Sequence, residues 1–414
     1  MDITQNNPPP ARLLDITRLI SRAGRVLTGV DRVEFAYLRE LCRSEVAFFA
    51  LARSAFGYIL LDRDGACAAL ERIRSDDWGE PGTLSRLALR QERDRQAAES
   101  RLRELALARC RPTFLGRMLR QHLPEGTAYL NIGHSNISQR VLSAVRTVPG
   151  ARIAIFLHDT IPLDLPEFQR RGTPERFASL FRRALRNADL LLCNSAVTRD
   201  DILRHAGHRA PRIAVAHLGY DPVTPDPAGL PPGLPPDSAY FVILGTIEPR
   251  KNHALMLDFW EEMSHSTPPE RMPRLLICGT RGWRNESLFR RLDSSPLIGR
   301  SVTEHAGLGD AAVAALLQGS AGLLFPSLAE GYGLPPIEAA ALGVPVVCND
   351  LPICREVLGD IPIYAKVTDR YLWRRTITGL AERRSAGKTG TTRAGRDFTP
   401  PDWSSHFNVV LSMT

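Results

Sequence analysis

Lysine is nearly missing from this chain. Of its 53 lysines and arginines only three are lysines, Lys251, Lys366 and Lys388. An arginine bias of that size is a property of the whole composition, so a lysine kept within it draws attention to its position. Cysteine is sparse and unpaired. The seven residues (Cys42, Cys67, Cys110, Cys193, Cys278, Cys348, Cys354) form no CxxC pair and are odd in number. That excludes a zinc knuckle or a disulfide framework and points to a reducing, cytoplasmic compartment. No apolar run approaches the roughly 20 residues of a membrane helix. The stretch from Met1 to Arg12 is polar and proline-rich, which speaks against a secretory signal. The formal net charge of +8 suits an anionic partner, but no nucleic-acid motif accompanies it, so nucleic acid is not expected.

What is present is an ordinary globular composition, 43% hydrophobic and 24% charged, in 414 residues. Length of this order implies two to three domains. Short, continuously apolar runs alternate with helical patterns. The first set is Val46–Leu51, Tyr58–Leu61, Ala128–Ile132, Arg152–Leu157, Leu190–Cys193 and Ile213–Ala216. The second is Tyr240–Leu244, Leu275–Cys278, Val302–His305, Gly322–Phe325, Val344–Cys348 and Ile361–Tyr364. Runs without polar alternation suit strands buried on both faces of a parallel sheet, so the class is α/β, doubly wound.

Between the two sets lies Asp221–Asp237, DPVTPDPAGLPPGLPPD. Seven of its seventeen residues are proline, which neither a helix nor a central strand tolerates. It predicts a semi-stiff linker between two Rossmann-like domains, 1–220 and 238–397. Ligands of such sheets bind beyond the carboxyl ends of the strands, and with two sheets the cleft between them is the expected site. The tail, 398–414, is expected to form a helix packing back on the N-terminal domain. The segment 85–120 carries ten arginines against four acids, with an apolar stripe of leucines and Met118. Two readings stay open: a solvated amphipathic insertion, or a helix lying on an anionic inner-membrane surface.

The chemistry concentrates in two segments. Gly322–Asp350 reads GLLFPSLAEGYGLPPIEAAALGVPVVCND. A buried strand runs into a loop with Glu330, Gly331, Tyr332 and Gly333. Pro335 and Pro336 then stand where a helix begins, with Glu338 expected in its first turn. Gly343 ends that helix before the next strand. A glycine loop opening a helix at the carboxyl end of a strand offers amide N–H groups and a positive dipole end to a phosphate, and Gly331–Leu334 supply those amides. The second segment, Tyr240–Leu257, reads YFVILGTIEPRKNHALML. Its strand ends at Gly245 and Thr246. A turn follows with Arg250 and Lys251, a fork and a point charge suited to a diphosphate.

Glu330-x7-Glu338, with GYGLPPIEA and GVPVV, resembles the signature of family 4 retaining glycosyltransferases of the GT-B fold. The resemblance implies that Glu338 holds the donor ribose, that Glu330 contacts the transferred sugar and that the loop amides bind the donor phosphates. Members often carry an arginine directly after the glycine. Thr246 stands there, so Arg250 is expected to supply that cation beside Lys251. The TIEPRKN version is similar to bacterial polysaccharide and O-antigen enzymes, many of them mannosyltransferases.

Strand tips at Gly279–Thr280 and His305 are expected near the nucleotide base, and Asp310 is expected to cap a helix over 311–318. In the N-terminal half, RIAIFLHDTIPLDLP ends a strand at His158 and Asp159. The resemblance sets His158 beside the transferred sugar, with Asp159 orienting it. Asn194 and Ser195 are expected near the donor phosphates or capping a helix, and the resemblance sets Gly29 in a loop near the acceptor and the donor phosphates.

These expectations define a retaining hexosyltransferase. The donor is a nucleoside diphosphate sugar, GDP-mannose the first choice. The acceptor is a hydroxyl of a glycan or lipid-linked molecule in surface polysaccharide (lipopolysaccharide) synthesis. No cofactor or metal is expected, since no DxD motif lies between the segments, and front-face transfer is favoured. An epimerase or phosphorylase on the same scaffold, or an inactive sugar-nucleotide-binding subunit, are the competing readings.

Overall fold

The computed structural model describes residues 8–387 and 398–414. Lys388 and the end of the expected C-terminal domain lie outside the described residues. The chain divides into two compact units. Among the described residues the first comprises 8–158, 177–218 and 403–414, the second 159–176, 219–387 and 398–402.

The first unit is built on eight strands: β1 (Ala11–Asp15), β2 (Ala47–Ser54), β3 (Gly57–Leu61), β4 (Ala108–Cys110), β5 (Ala128–Asn131), β6 (Arg152–Leu157), β7 (Leu190–Cys193) and β8 (Arg212–Val215). Their order in the sheet is β4-β3-β2-β1-β5-β6-β7-β8. Pairing is parallel from β2 through β8, while β3 pairs antiparallel with both β2 and β4. Two strands go beyond the expected set. β1 begins inside the stretch read as a polar tail, because Arg12 is buried and its guanidinium donates to the carbonyls of Leu411 (3.0 Å) and Thr414 (2.9 Å). β4 is a three-residue edge strand. The segment expected as one amphipathic helix over 85–120 is several pieces: helices Thr83–Arg86, Arg93–Glu104 and Leu115–His122, with β4 and a 3₁₀ turn at Pro112 between them. The tail forms the helix Trp403–Met413. It docks in the first unit through His406, whose Nδ1 lies 2.9 Å from the His217 carbonyl and whose Nε2 lies 2.9 Å from the Tyr37 hydroxyl.

The second unit holds β9 (Tyr240–Leu244), β10 (Arg274–Cys278), β11 (Val302–His305), β12 (Gly322–Phe325), β13 (Val346–Cys348) and β14 (Ile363–Tyr364), all parallel, in the order β11-β10-β9-β12-β13-β14. Its core gathers Phe241, Trp260, Leu275, Leu324 and Trp373. β13 is shorter than expected because Pro345 lacks an N–H, though its carbonyl still accepts from Leu323 N (2.8 Å). The sheet is wound outward in both directions from β9 and β12. The carboxyl ends of those neighbours are the switch point at which such sheets bind ligands.

Candidate functional site

Both segments singled out in the sequence end at this switch point. After β9 the chain turns through Gly245, Thr246 and Glu248 into a 3₁₀ turn, Pro249–Lys251. Asn252 takes a left-handed conformation (φ 54°) before the helix His253–Ser264, and its side-chain amide donates to the Pro326 carbonyl (3.4 Å). After β12 the chain passes Pro326 and Glu330 to Gly333, whose φ of 92° suits glycine, and enters the helix Leu334–Ala341. The backbones are stitched together where Leu328 N donates to the Arg250 carbonyl (2.7 Å).

The side chains converge as well. Arg250 Nη1 donates to Glu330 Oε2 (2.9 Å) and to the Ala329 carbonyl (2.9 Å), while Nη2 pairs with Glu248 Oε1 (2.8 Å). Lys251 Nζ donates to Glu330 Oε1 at 2.5 Å and stands 4.9 Å from the Phe325 ring centroid. One carboxylate thus holds two cations, all three groups largely out of water. Burial alone would raise the Glu330 carboxyl, but Lys251 and Arg250 outweigh it and hold the group at about 2. Burial pulls the Lys251 ammonium below its usual value against the opposing field of Glu330. Burial would also lower Arg250, yet Glu330 and Glu248 carry it above its usual value. Burial raises Glu248, with Arg250 working against it.

The remaining expected donor residues sit around this cluster. Gly245 lies under Lys251: a Cβ built there would stand 3.5 Å from Lys251 Cε. Gly279 follows β10 so closely that its Cβ would come within 2.0 Å of the Gly245 carbonyl oxygen. Gly279 N donates to the His305 carbonyl (2.9 Å), and the Thr280 carbonyl accepts from Ile247 N (2.9 Å). These tips therefore form one stitched rim. The Thr246 methyl packs where a Gly282 Cβ would sit (2.7 Å). Gly331, Tyr332, Gly333 and Leu334 lead into the helix, with Tyr332 buried. Glu338 is half-buried and lies just beyond the first turn expected to hold it, because the helix starts at Leu334, before the two prolines. Asp310 is the first residue of the helix Asp310–Gly319, and Gly309 occupies the cap expected of Asp310.

Asp159 belongs to this unit, and its carboxyl feels Arg250 and Glu330 while burial raises it. It does not orient His158. Asp159 Oδ1 accepts from Ile161 N (3.0 Å), whereas His158 Nε2 donates to the Ile132 carbonyl (2.8 Å). His158, Asn194, Ser195 and Gly29 lie in the first unit. Burial keeps the His158 imidazole neutral, well below its usual value. Asn194 donates to the His158 carbonyl (2.9 Å), and Ser195 Oγ accepts from Thr198 N (3.0 Å), the capping alternative. Gly29 is the first residue of the helix Gly29–Arg43, opened by a Thr28–Asp31 capping box.

Sequence reasoning missed Glu248 and a second polar cluster. The first unit has its own switch point between β1 and β5. There Asp15 Oδ2 accepts from Tyr129 Oη (3.1 Å) and from Asn136 (2.8 Å). His134 and Asn136 both adopt positive φ, 59° and 64°. A loop with two left-handed non-glycine residues stores strain of the kind found at ligand sites. The signal available was GHSN following a buried strand.

Two family models match the chain: Glycosyl transferases group 1 over 231–361 and Glycosyltransferase Family 4 over 87–223. Over these two regions the chain resembles family 4-like glycosyltransferases, and its two parallel-sheet units share the GT-B fold. Among curated relatives, the serotype-specific mannosyltransferase WbdA of Escherichia coli is 32% identical over 227 residues, 50% of this chain and 27% of that protein. O-antigen chain mannosyltransferase B of E. coli is 29% identical over 224 residues, 53% of this chain and 58% of that one. The chain thus spans about a quarter of the length of WbdA. Among solved structures, Anabaena HepE in complex with UDP and glucose superposes with a TM-score of 0.62 at 16% identity, over 97% of both chains. The two matched regions both run into the Pro-rich segment 221–237 and leave only 224–230 between them.

Proposed function

We propose that this chain transfers a hexose, mannose first, from a nucleoside diphosphate donor such as GDP-mannose to a hydroxyl of a glycan or lipid-linked acceptor in surface polysaccharide synthesis. The observation that carries this reading is the Arg250–Glu330–Lys251 cluster at the switch point of the second unit. The O-antigen mannosyltransferases among its relatives support the choice of sugar.

Departure of a diphosphate develops negative charge on the leaving oxygens, and preorganised donors are the largest lever on such a step. In this reading Arg250 and Lys251 take that charge together with the Gly331–Leu334 amides, without a metal ion. Glu330 keeps both cations in place before the donor arrives and then faces the transferred sugar, while Glu338 holds the ribose. A carboxylate held at about 2 by two cations is a weak base and a weak nucleophile. That favours retention by front-face transfer, the donor phosphate taking the acceptor proton, over a double displacement through a glutamyl ester. The acceptor is assigned to the first unit, at Asp15, His134 and Asn136.

A panel of nucleotide sugars offered to the purified chain with a mannosylated acceptor tests this. GDP-mannose should give product with the α-configuration of the donor kept, unaffected by EDTA. An inverted product, a requirement for divalent metal, or turnover only with another sugar overturns the corresponding part.

A further inference from the structure

The proposed donor site has a charge that does not suit its ligand. Arg250 and Lys251 bring two positive charges, but Glu330 and Glu248 set two negative ones against them. Asp159 adds a further carboxyl whose field reaches Arg250 and Glu330. A diphosphate entering such a cluster meets repulsion as well as attraction, and both are strong where little water lies between the charges. One carboxylate has to leave the cluster or give up its charge.

Glu248 is poorly placed to leave. It is 3% exposed, and the backbone is fixed on both sides of it. Gly282 N donates to the Ile247 carbonyl (3.1 Å), and Lys251 N donates to the carbonyl of Glu248 itself (3.1 Å). Glu330 is the wrong group to be neutralised, because Lys251 and Arg250 hold one oxygen each and keep it at about 2. Asp159 accepts a backbone N–H from Ile161 (3.0 Å), which favours its charged form. Glu248 has a single ion pair, with Arg250 Nη2 (2.8 Å). Burial raises its carboxyl against Arg250 and Lys251, and Glu330 adds to the rise. The other charged groups around the turn are engaged elsewhere. Arg281 on the adjoining loop pairs with Glu304 and Asp293, and Arg284 donates to the Gln169 carbonyl (2.9 Å). His253, which opens the next helix, is kept neutral by burial and by Lys251, at about 3. A diphosphate that takes over Arg250 Nη2 would remove most of what still keeps Glu248 ionised.

We infer that Glu248 is the proton acceptor of the donor site: it takes a proton from solvent as a nucleoside diphosphate sugar binds and returns it when the nucleoside diphosphate leaves. The inference rests on the reading of Arg250 and Lys251 as the diphosphate site. Glu248 is then a positioning residue that acts through Arg250. Ionised, it holds the guanidinium and cancels a charge in the empty site. Protonated, it releases that edge of the fork to the donor and leaves the cluster with a net positive charge. The direction of the pH dependence follows. Below the value of the carboxyl in the empty site, Glu248 is already protonated and affinity is flat. Above it, binding must draw a proton from solvent, and Kd rises with pH by about tenfold per pH unit at the steepest.

Titration calorimetry of the full chain with GDP-mannose and with UDP-glucose, in buffers of different ionisation enthalpy, counts the proton. The diphosphate of a sugar nucleotide has no oxygen that titrates near neutral pH, so any uptake belongs to the protein. Wild type should take up about one proton per donor bound at about pH 8 and less toward about pH 5, with Kd weakening as pH rises. Glu248→Gln should bind with no buffer-dependent heat and a flat pH profile, about tenfold or more tighter than wild type at about pH 8. Asp159→Asn should keep the wild-type uptake. Donor binding without proton uptake in wild type, or uptake that persists in Glu248→Gln, overturns the inference and leaves the diphosphate site standing. Binding that Lys251→Ala does not weaken, or no binding of either sugar nucleotide, removes the diphosphate site and the inference with it.

Discussion

Glu330 carries two cations at once, and this makes its removal different from the loss of an ordinary surface carboxylate. Glu330→Gln leaves Arg250 and Lys251 facing each other with their shared counter-charge gone, so we expect stability to fall by several kcal/mol, on the order of 3. Transfer should fall at least about a hundredfold through misplaced cations, and Lys251→Ala should cost a similar factor by removing one of them. The pH dependence separates the two effects. The folded carboxyl is depressed to about 2 from an ordinary 4.5. Its stabilisation is therefore complete above pH 4.5 and is lost as pH falls toward 2. Urea titrations across that window should show a steep acid limb in wild type and a flatter one in Glu330→Gln; equal slopes would remove Glu330 from the account. Lys251 and Glu330 were legible in the sequence because one is a rare residue type and the other stands in a long motif. Glu248 was not, since a glutamate in a polar turn looks solvated until Arg250 folds back onto it at 2.8 Å.

Elements were legible where burial is complete. β9 and β12 are continuous apolar runs, and their bounds were read to the residue. β1 escaped because its five residues include Arg12 and Asp15, which reads as tail until long-range carbonyls and a buried network satisfy both. The arginine-rich segment misled for the opposite reason: its composition looks helical throughout, but Pro112 and the edge strand Ala108–Cys110 divide it. At this scale the rim of the proposed donor site rests on Gly279. A methyl there meets the Gly245 carbonyl, backbone against backbone, so neither side can rotate away. Gly279→Ala should cost about 2–4 kcal/mol in unfolding and displace the turn under Lys251, abolishing donor binding in calorimetry. A variant with wild-type affinity would show that the two strand tips are independent. The tail helix has its own titration. Burial lowers His406 to about 4, while an unfolded histidine titrates near 6.5, so docking of Trp403–Met413 loses stability as pH falls from 6.5 toward 4. Hydrogen exchange in 403–413 should quicken across that range, and a flat profile would rule out the histidine as its cause.

For the whole molecule, the linker was readable from its prolines, but the points where the chain passes from one unit to the other were not. The segment 159–176 belongs to the second unit because of contacts no local pattern announces. Trp283 donates to the Phe168 carbonyl (2.9 Å), Arg284 donates to that of Gln169 (2.9 Å), and Arg170 stacks 4.5 Å over the Trp283 ring. A chain organised as two compact units, each with its own sheet, need not unfold in one step. Every group assigned to the donor diphosphate lies in the second unit, so donor binding should act unevenly. At 100 times its Kd a ligand that binds only folded protein adds about 2.7 kcal/mol. With GDP-mannose that gain should appear as slower hydrogen exchange in Leu334–Ala341 and His253–Ser264, and in Asp159–Arg176 through its ties to the same unit. Gly29–Arg43 and the Trp403–Met413 helix should exchange as before. Protection rising equally in both units would mean that the donor is held by residues of each, and the assignment of the diphosphate to Arg250, Lys251 and the helix amides alone would fall.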